Sequence, residues 1–280
     1  MTYDVSSISQ PVEGAALKTL SLGAGIQSST LLLMAECGAI GPKPDAAIFA
    51  DTGFEPAATY AWLSQLETLT SIPVIRVATG NLKDDLLDVT DPSKPKRRFA
   101  SVPVFTEGGG MARRQCTREY KIDAVTKAIR QLLGIVPKKR VPRGTTAEVW
   151  IGISTDEIVR LKDSRIAWQI NRWPLIEQGM RRSDCISWLK AHGYPAPPKS
   201  SCIGCPYRSN ASWRSMKTQA PEDFAQAVAI DTALRSGRGL PGLKEAAYLH
   251  SDRIPLAEVD FDKDSNQLGL LDECDGVCGT

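Results

Sequence analysis

Two short strings in this 280-residue chain carry residue types and spacings that can do chemistry. The first, Ser21-Leu-Gly23-Ala-Gly25-Ile-Gln27-Ser28-Ser29-Thr30, follows an apolar run and opens a helical one. Glycines at 23 and 25 permit a tight turn and close backbone approach to an anion. Ser28, Ser29 and Thr30 fall at the helix start, where free N–H groups and the positive end of the dipole favour phosphate. The string lacks the Gly-Lys-Ser/Thr ending of a Walker loop and the glycine spacing of a dinucleotide fingerprint. A glycine-rich connector with a serine cap is the plainer reading of the same residues.

The second string is Cys202-Ile-Gly-Cys205-Pro206, a spacing at which two thiolates reach one metal centre. The chain has seven cysteines, and an odd count without a secretion signal argues against a disulfide scaffold. Cys37 and Cys185 lie in apolar or helix-like runs and read as packing residues. Cys116, after Arg113 and Arg114, and the tail pair Cys274 and Cys278 are the other thiols available to bind metal or react. Spacing alone leaves Cys202 and Cys205 open to a zinc knuckle, an iron–sulfur site or an unmetallated pair. Asp272, Glu273 and Asp275 around Cys274 disfavour a low thiolate pKa, so reactivity there needs a basic neighbour.

The elements that must position these strings alternate. Leu17–Leu22, Ala46–Ala50, Pro73–Ala78 and Val149–Ile153 read as buried strands. Helical runs follow at about Ser28–Glu36, Ala57–Leu69 and Glu119–Leu133, with others at Ser183–Ala191 and Ser212–Ala247, the last interrupted at 237–242. Strands alternating with helices call for an α/β fold, a parallel sheet covered on both faces. Residues 1–16 lack a pattern and are expected to be a flexible arm. A domain over 17–200 is expected to hold the strands, with a long basic loop at 91–114; residues 201–280 hold the knuckle, a helical region and an acidic tail.

Composition is that of an ordinary globular chain, 42% hydrophobic and 24% charged, which excludes disordered and fibrous classes. No apolar run approaches the ~20 residues of a membrane span and the start has no leader pattern, so a cytoplasmic protein is expected. Net charge is +2 but unevenly spread. Pro92–Arg143 has 14 Lys or Arg against three acids, and Ser251–Thr280 has eight acids against two bases. Lys96, Arg97, Arg98, Arg113 and Arg114 flank the basic loop, and Lys138, Lys139, Arg140 and Arg143 form a second cluster. Such charge suits a phosphate-rich partner or two solvated faces equally.

The loop and helix, the strand ending in Asp51-Thr52-Gly53-x-Glu55, and Gly152-Ile-Ser154-x-Asp156-Glu157-x-x-Arg160 together resemble the PP-loop ATP pyrophosphatase superfamily. The last motif looks like that of its phosphoadenosine phosphosulfate (PAPS) reductase branch. The resemblance spans roughly residues 17–210 and implies an adenine nucleotide α-hydrolase-like sheet with a small helical C-terminal region. It implies that Ser21, Gly23, Gly25, Gln27, Ser28 and Ser29 line a site for the phosphates of ATP with Mg²⁺. Asp51 would lie near the nucleotide in a catalytic role, with Gly152, Asp156 and Arg160 contributing from the later motif. One departure is Gln27, which stands where the superfamily's Ser-Gly-Gly-x-Asp-Ser has Asp; a metal or charge role of that Asp is not carried over.

The string around Cys116 is similar to the Cys-Cys-x-x-Arg-Lys segment of iron–sulfur adenylylsulfate reductases, with Gln115 in place of the first cysteine. Cys202 and Cys205 match the distant pair of those enzymes. The resemblance thus implies a 4Fe-4S cluster on Cys116, Cys202 and Cys205, as in three-cysteine PP-loop tRNA thiolases, with zinc as the alternative. Glu273-Cys274 occupies a place like that of the reductases' C-terminal nucleophile, although Asp275 replaces glycine. The expected function is an ATP-dependent, pyrophosphate-releasing iron–sulfur sulfurtransferase acting on tRNA, DNA or a modified nucleotide, supplied by a cysteine desulfurase. The alternatives are a PAPS or adenylylsulfate reductase using Cys274 and thioredoxin, and a non-catalytic nucleotide-sensing module. A homodimer is compatible with all of them.

Overall fold

The computed structural model describes residues 9–91, 93, 102–236, 243 and 245–263, and of Val89 the backbone only. In chain order the elements begin with β1 (Leu17–Leu22), α1 (Ile26–Glu36), β2 (Ala46–Ala50), α2 (Ala57–Leu69), β3 (Val74–Val77) and α3 (Leu82–Thr90). There follow β4 (Phe105–Thr106), a π turn (Thr117–Ile122) running into α4 (Asp123–Leu132), and β5 (Ala147–Ile151). A 3-10 turn (Thr155–Arg160), β6 (Gln169–Arg172), α5 (Pro174–Glu177) and α6 (Arg182–Ala191) complete the sheet region. The C-terminal part holds α7 (Asn210–Gln219), α8 (Pro221–Arg235) and β7 (Ala247–Tyr248).

Five strands form one parallel sheet in the order β3-β2-β1-β5-β6. All residues of β2 and β5 are buried, as a strand covered on both faces requires. The α/β fold expected from the alternating pattern is the fold observed. From β1 the chain winds outward through β2 and β3, and later through β5 and β6 on the other side. The switch point therefore lies between β1 and β5, where open α/β sheets place ligands at the carboxyl ends of their strands. Leu20, Leu22, Ala47, Phe49 and Trp150 face α1, α2 and α6 on one side, and Ile48, Ala50, Val149 and Ile151 face α4 on the other.

A separate core lies against the carboxyl edge of the sheet. Phe54, from the loop after β2, packs there with Leu82 and Leu86 of α3, Val102, Val104, Ile203, Trp213 of α7 and Phe224 of α8. Residues after 200 thus share one core with α3 and the segment at 102–104. The single helical run expected at Ser212–Ala247 is two helices, because Pro221 cannot continue α7 and instead opens α8. The glycine-rich interruption at 237–242 lies outside the described residues.

The amino edge of the sheet is closed by charge. Arg172 bonds Glu177 at 2.9 and 2.8 Å, Glu148 at 3.2 Å and the Gly41 carbonyl at 3.0 Å, over the Trp150 ring. Glu148 also accepts from the Val12 amide at 2.5 Å. Ser9 donates to Glu177 at 2.7 Å, and the Ala16 amide donates to the Thr146 carbonyl at 2.8 Å. Residues 9–16, expected as a loose arm, are therefore pinned across this edge; the buried carboxylates that hold them are distant in sequence. Among the described residues, no helix is long and apolar enough to cross a membrane.

Candidate active site

The loop between β1 and α1 leaves the sheet beside the switch point. Its left-handed residue is Ala24, at φ 56°, whereas Gly25 has φ −89° and takes the N-cap position of α1. No side chain caps this helix and its first turn has no acid, so the amides of Ile26, Gln27 and Ser28 lack intrahelical partners. The Ser28 hydroxyl accepts from the Gly23 amide at 3.2 Å. Ser29 was expected to face the anion, but its hydroxyl is turned inward and accepts from Trp62 Nε1 at 2.9 Å. Thr30 bonds the Ile26 carbonyl at 2.7 Å. The groups left without intrahelical partners at this helix start are backbone amides rather than these hydroxyls, with Ile26 half-buried and Gln27 and Ser28 buried. Ser21, at the end of β1, is buried between Ile48 and Ile151.

The motif after β5 closes on the same turn. A Cβ at Gly152 would stand 2.8 Å from the Ser28 amide nitrogen and 2.9 Å from its Cα, so only glycine lets β5 approach α1 this closely. Gln27, buried, reaches across with Nε2 to Glu157 at 3.0 Å and Ser154 at 3.4 Å. Its Oε1 accepts from Arg182 of α6 at 3.0 Å. Arg160 pairs with Glu157, and Asp156 accepts from the Ser154 hydroxyl at 2.6 Å and the Arg182 amide at 3.2 Å. Gln27 is thus a neutral strut between a carboxylate and a guanidinium; an acid here would face Glu157. Arg182 was missed in the sequence. Its signal was the basic pair Arg181-Arg182 directly before a helical run.

Asp51 ends β2 one strand away from this loop. Its carboxylate accepts from the Gly53 amide and the Tyr60 hydroxyl, both at 2.7 Å. Burial and the neighbouring Asp51 raise the Tyr60 pKa. Gly53 sits at φ 69°, and a Cβ there would meet Asn81 at 2.6 Å, so this turn also requires glycine. Asp51 shapes the loop at the carboxyl edge of the sheet.

The same loop backs the thiols. Ile203 donates its amide to the Phe54 carbonyl at 2.8 Å, and a Cβ at Gly204 would meet the Phe54 ring at 2.7 Å. The Cys202–Cys205 turn, closed by a 3.1 Å bond from the Cys205 amide to the Cys202 carbonyl, is therefore seated on the loop after β2. Cys116, at the start of the π turn, lines the same small pocket of about 30 Å³ with Cys202, Cys205, Thr52, Arg114 and Lys121. Glu55 accepts from Thr52 at 3.0 Å and from Cys202 Sγ at 3.4 Å, and stands 3.6 Å from the buried Lys121 ammonium. Arg208, 4% exposed, bonds the carbonyls of Ser201 and Cys202 at 2.7 and 3.0 Å, while its buried Nε has no partner among the described residues. Burial lowers its pKa from the ordinary guanidinium value, with Cys205 and Cys202 acting in the opposite direction.

Three thiols with cations behind them are the right donor chemistry for a thiolate-bound metal. Their arrangement does not match it: among the described residues, no three Cys, His, Asp or Glu side chains are set to hold one metal ion.

Other sequence expectations fall elsewhere. Arg114 stacks over Tyr207 in the thiol pocket wall, 5.3 Å from the ring centre, and Arg113 is exposed. Lys138, Lys139, Arg140 and Arg143 are exposed on the connection into the amino end of β5, at the edge of the sheet opposite the phosphate loop. Sequence proximity to the basic loop could not reveal that separation. Cys37 is exposed at the end of α1, not core, while Cys185 is buried and its pKa is pushed up to about 12 by desolvation. Lys96, Arg97, Arg98, Cys274 and Cys278 lie outside the described residues.

No protein-family model and no curated protein matches the sequence. Among solved structures, the chain is similar to a crystal structure of phosphoadenylyl-sulfate (PAPS) reductase from Candida auris in a phosphate complex. The two are 13% identical over 66% of this chain and 76% of that one, with a TM-score of 0.41.

Proposed function

We propose that this protein is an adenine-nucleotide-dependent enzyme of sulfur transfer. The observation that carries the reading is a juxtaposition at one edge of the sheet. An uncapped helix start at the switch point and a pocket lined by Cys116, Cys202 and Cys205 flank the single loop Asp51–Glu55. In this reading the amides of Ile26, Gln27 and Ser28 take the phosphates of ATP, with Mg²⁺ as counterion, and Arg160 and Arg182 lie beside them. A substrate oxygen attacks the α-phosphorus, the bond to the β-phosphate breaks, and pyrophosphate leaves. The preorganised amides stabilise the charge that develops on the leaving group. A persulfide formed on one pocket thiol by a donor such as a cysteine desulfurase then attacks the activated carbon and displaces AMP. A second pocket thiol cleaves the resulting S–S bond, leaving the sulfur on the substrate, and the Cys–Cys disulfide so formed is reduced by an external dithiol.

The proposal extends to a soft metal centre on the three pocket cysteines, a 4Fe-4S cluster or zinc, which requires their side chains to turn toward a common point. The acceptor in this reading is a nucleic acid or nucleotide. The test uses anaerobically purified full-length protein, with iron, sulfide and zinc analysis of the same sample. ATP-dependent pyrophosphate release that requires a polynucleotide or nucleoside supports the proposal. Sulfite release from a sulfonucleotide without ATP would reassign the protein as a reductase, and nucleotide binding without turnover would make it a sensing module.

A further inference from the structure

The sheet is covered unevenly. On one face α4 packs over β1, β2 and β3, whereas the β5–β6 half of that face is left to the connection at 161–168. Between them lies a pocket of about 360 Å³, a size typical of small-molecule sites. Its floor is aliphatic, formed by Ile122, Val125, Val149 and Ile151. Gln169 and Asn171, two apart on β6 and so on one face of the strand, bring carboxamides to it. Gln169 Nε2 is buried and has no hydrogen-bond partner among the described residues. Asn171 Nδ2 donates to the Lys162 carbonyl at 2.9 Å, which leaves its Oδ1 as an acceptor. At the rim Arg118, Lys162 and Arg165 are exposed, beside Asp123 and Asp163, so cations exceed acids by one.

We infer that this pocket binds a nucleoside monophosphate. The base lies on the aliphatic floor, its edge supplies the acceptor that Gln169 lacks and a donor to Asn171, and the phosphate meets the cationic rim. Paired carboxamide contacts of this kind are a known way to read a base edge. The pocket is distinct from the phosphate loop, and the inference does not rest on ATP binding there. It shares a wall with the thiol pocket: Cys116, Thr117 and Lys121 of the π turn and its start line that pocket, and Arg118 and Ile122 line this one.

The chemistry is the same for a free mononucleotide and for a nucleotide within a strand. The test is calorimetric titration of the full-length protein with AMP, GMP, CMP and UMP, and separately with a single-stranded oligonucleotide. Gln169→Ala and Asn171→Ala should each weaken binding roughly tenfold. Thr126→Trp, which fills the pocket from its rim, should abolish it. Arg182→Ala, on the phosphate-loop side, should leave this binding intact. Dependence on Gln169 for the oligonucleotide alone would identify a strand as the source and support the site. Mononucleotide binding lost in Arg182→Ala but indifferent to Gln169→Ala and Thr126→Trp would overturn it, as would no binding of any probe. Thermal melts accompany each variant; should Gln169→Ala fail to fold, Thr126→Trp decides.

Discussion

The two edges of the sheet use charge in opposite ways. At the amino edge Arg172 is 3% exposed and Glu148 fully buried, and the guanidinium is spent on Glu148, Glu177 and a carbonyl. The cluster's effect is to fix residues 9–16 and the start of β5 to the fold. At the carboxyl edge the charges are half-exposed, a glutamine bridges them, and the helix start beneath them has no cap. A polar group that is buried and saturated is part of the architecture. One held in place but still open to solvent is available to a ligand.

The largest effect should come from breaking the closed edge. Arg172→Ala strands a buried carboxylate at Glu148 and should cost about 3–5 kcal/mol, read as a lowered denaturant midpoint. Under strongly native conditions its nucleotide affinity should match wild type. If affinity fell while stability held, the division between the edges would fail.

Gly152→Val attacks the open edge through sterics. The added Cβ meets the Ser28 backbone at 2.8 Å, strain of about 1–3 kcal/mol that must shift the start of α1. ATP affinity should drop at least roughly tenfold while the circular dichroism spectrum persists. Arg182→Ala is subtler. A hydrogen bond to a charged group is worth about 1.5–3 kcal/mol, so ATP or pyrophosphate affinity should fall by about one to two orders of magnitude. Stability should fall by about 1–3 kcal/mol, because the buried Gln27 Oε1 loses this donor.

The smallest effect belongs to Glu36, at the end of α1. Its hydrogen bond with Lys43 is the main cause of a pKa lowered to about 2, and bonds from Thr70 and Ser71 add to it. A folded pKa below the unfolded value means the stabilisation is present above pH 4.5 and fades as pH falls toward 2. Glu36→Gln should therefore be less stable than wild type at neutral pH by under about 1 kcal/mol. Stability curves for the two proteins should converge in acid. A difference unchanged down to pH 2 would show that the Lys43 contact is not electrostatic.

Much of this molecule could be read from local pattern. Runs such as Ala46–Ala50 have no polar residue to expose, and only a strand covered on both faces accommodates them beside helices of amphipathic period. Gly23 and Gly25 read as a tight turn, although the positive φ falls on Ala24, and the close approach at Gly152 emerges only from the packing of β5 on α1. What the sequence could not display was the company each polar residue keeps. Ser29 looks like a phosphate ligand until Trp62 takes its hydroxyl, and Arg182, 155 residues from Gln27, becomes part of the loop only through α6 packing on α1. The strand expected at Val149–Ile153 is Ala147–Ile151, because Glu148 is accommodated inside β5 by its pair with Arg172. β6 was missed because Gln169, Asn171 and Arg172 obscure its alternation, and those polar residues line a pocket or the closed edge.

The central claim is that the uncapped start of α1 receives nucleotide phosphate. The most direct measurement is an amide spectrum of the isotopically labelled full-length protein titrated with Mg-ATP. Binding at the proposed site predicts the largest shifts at the amides of Ile26, Gln27 and Ser28, weakened in Arg182→Ala. Saturable ATP binding that leaves those amides unmoved would contradict the account.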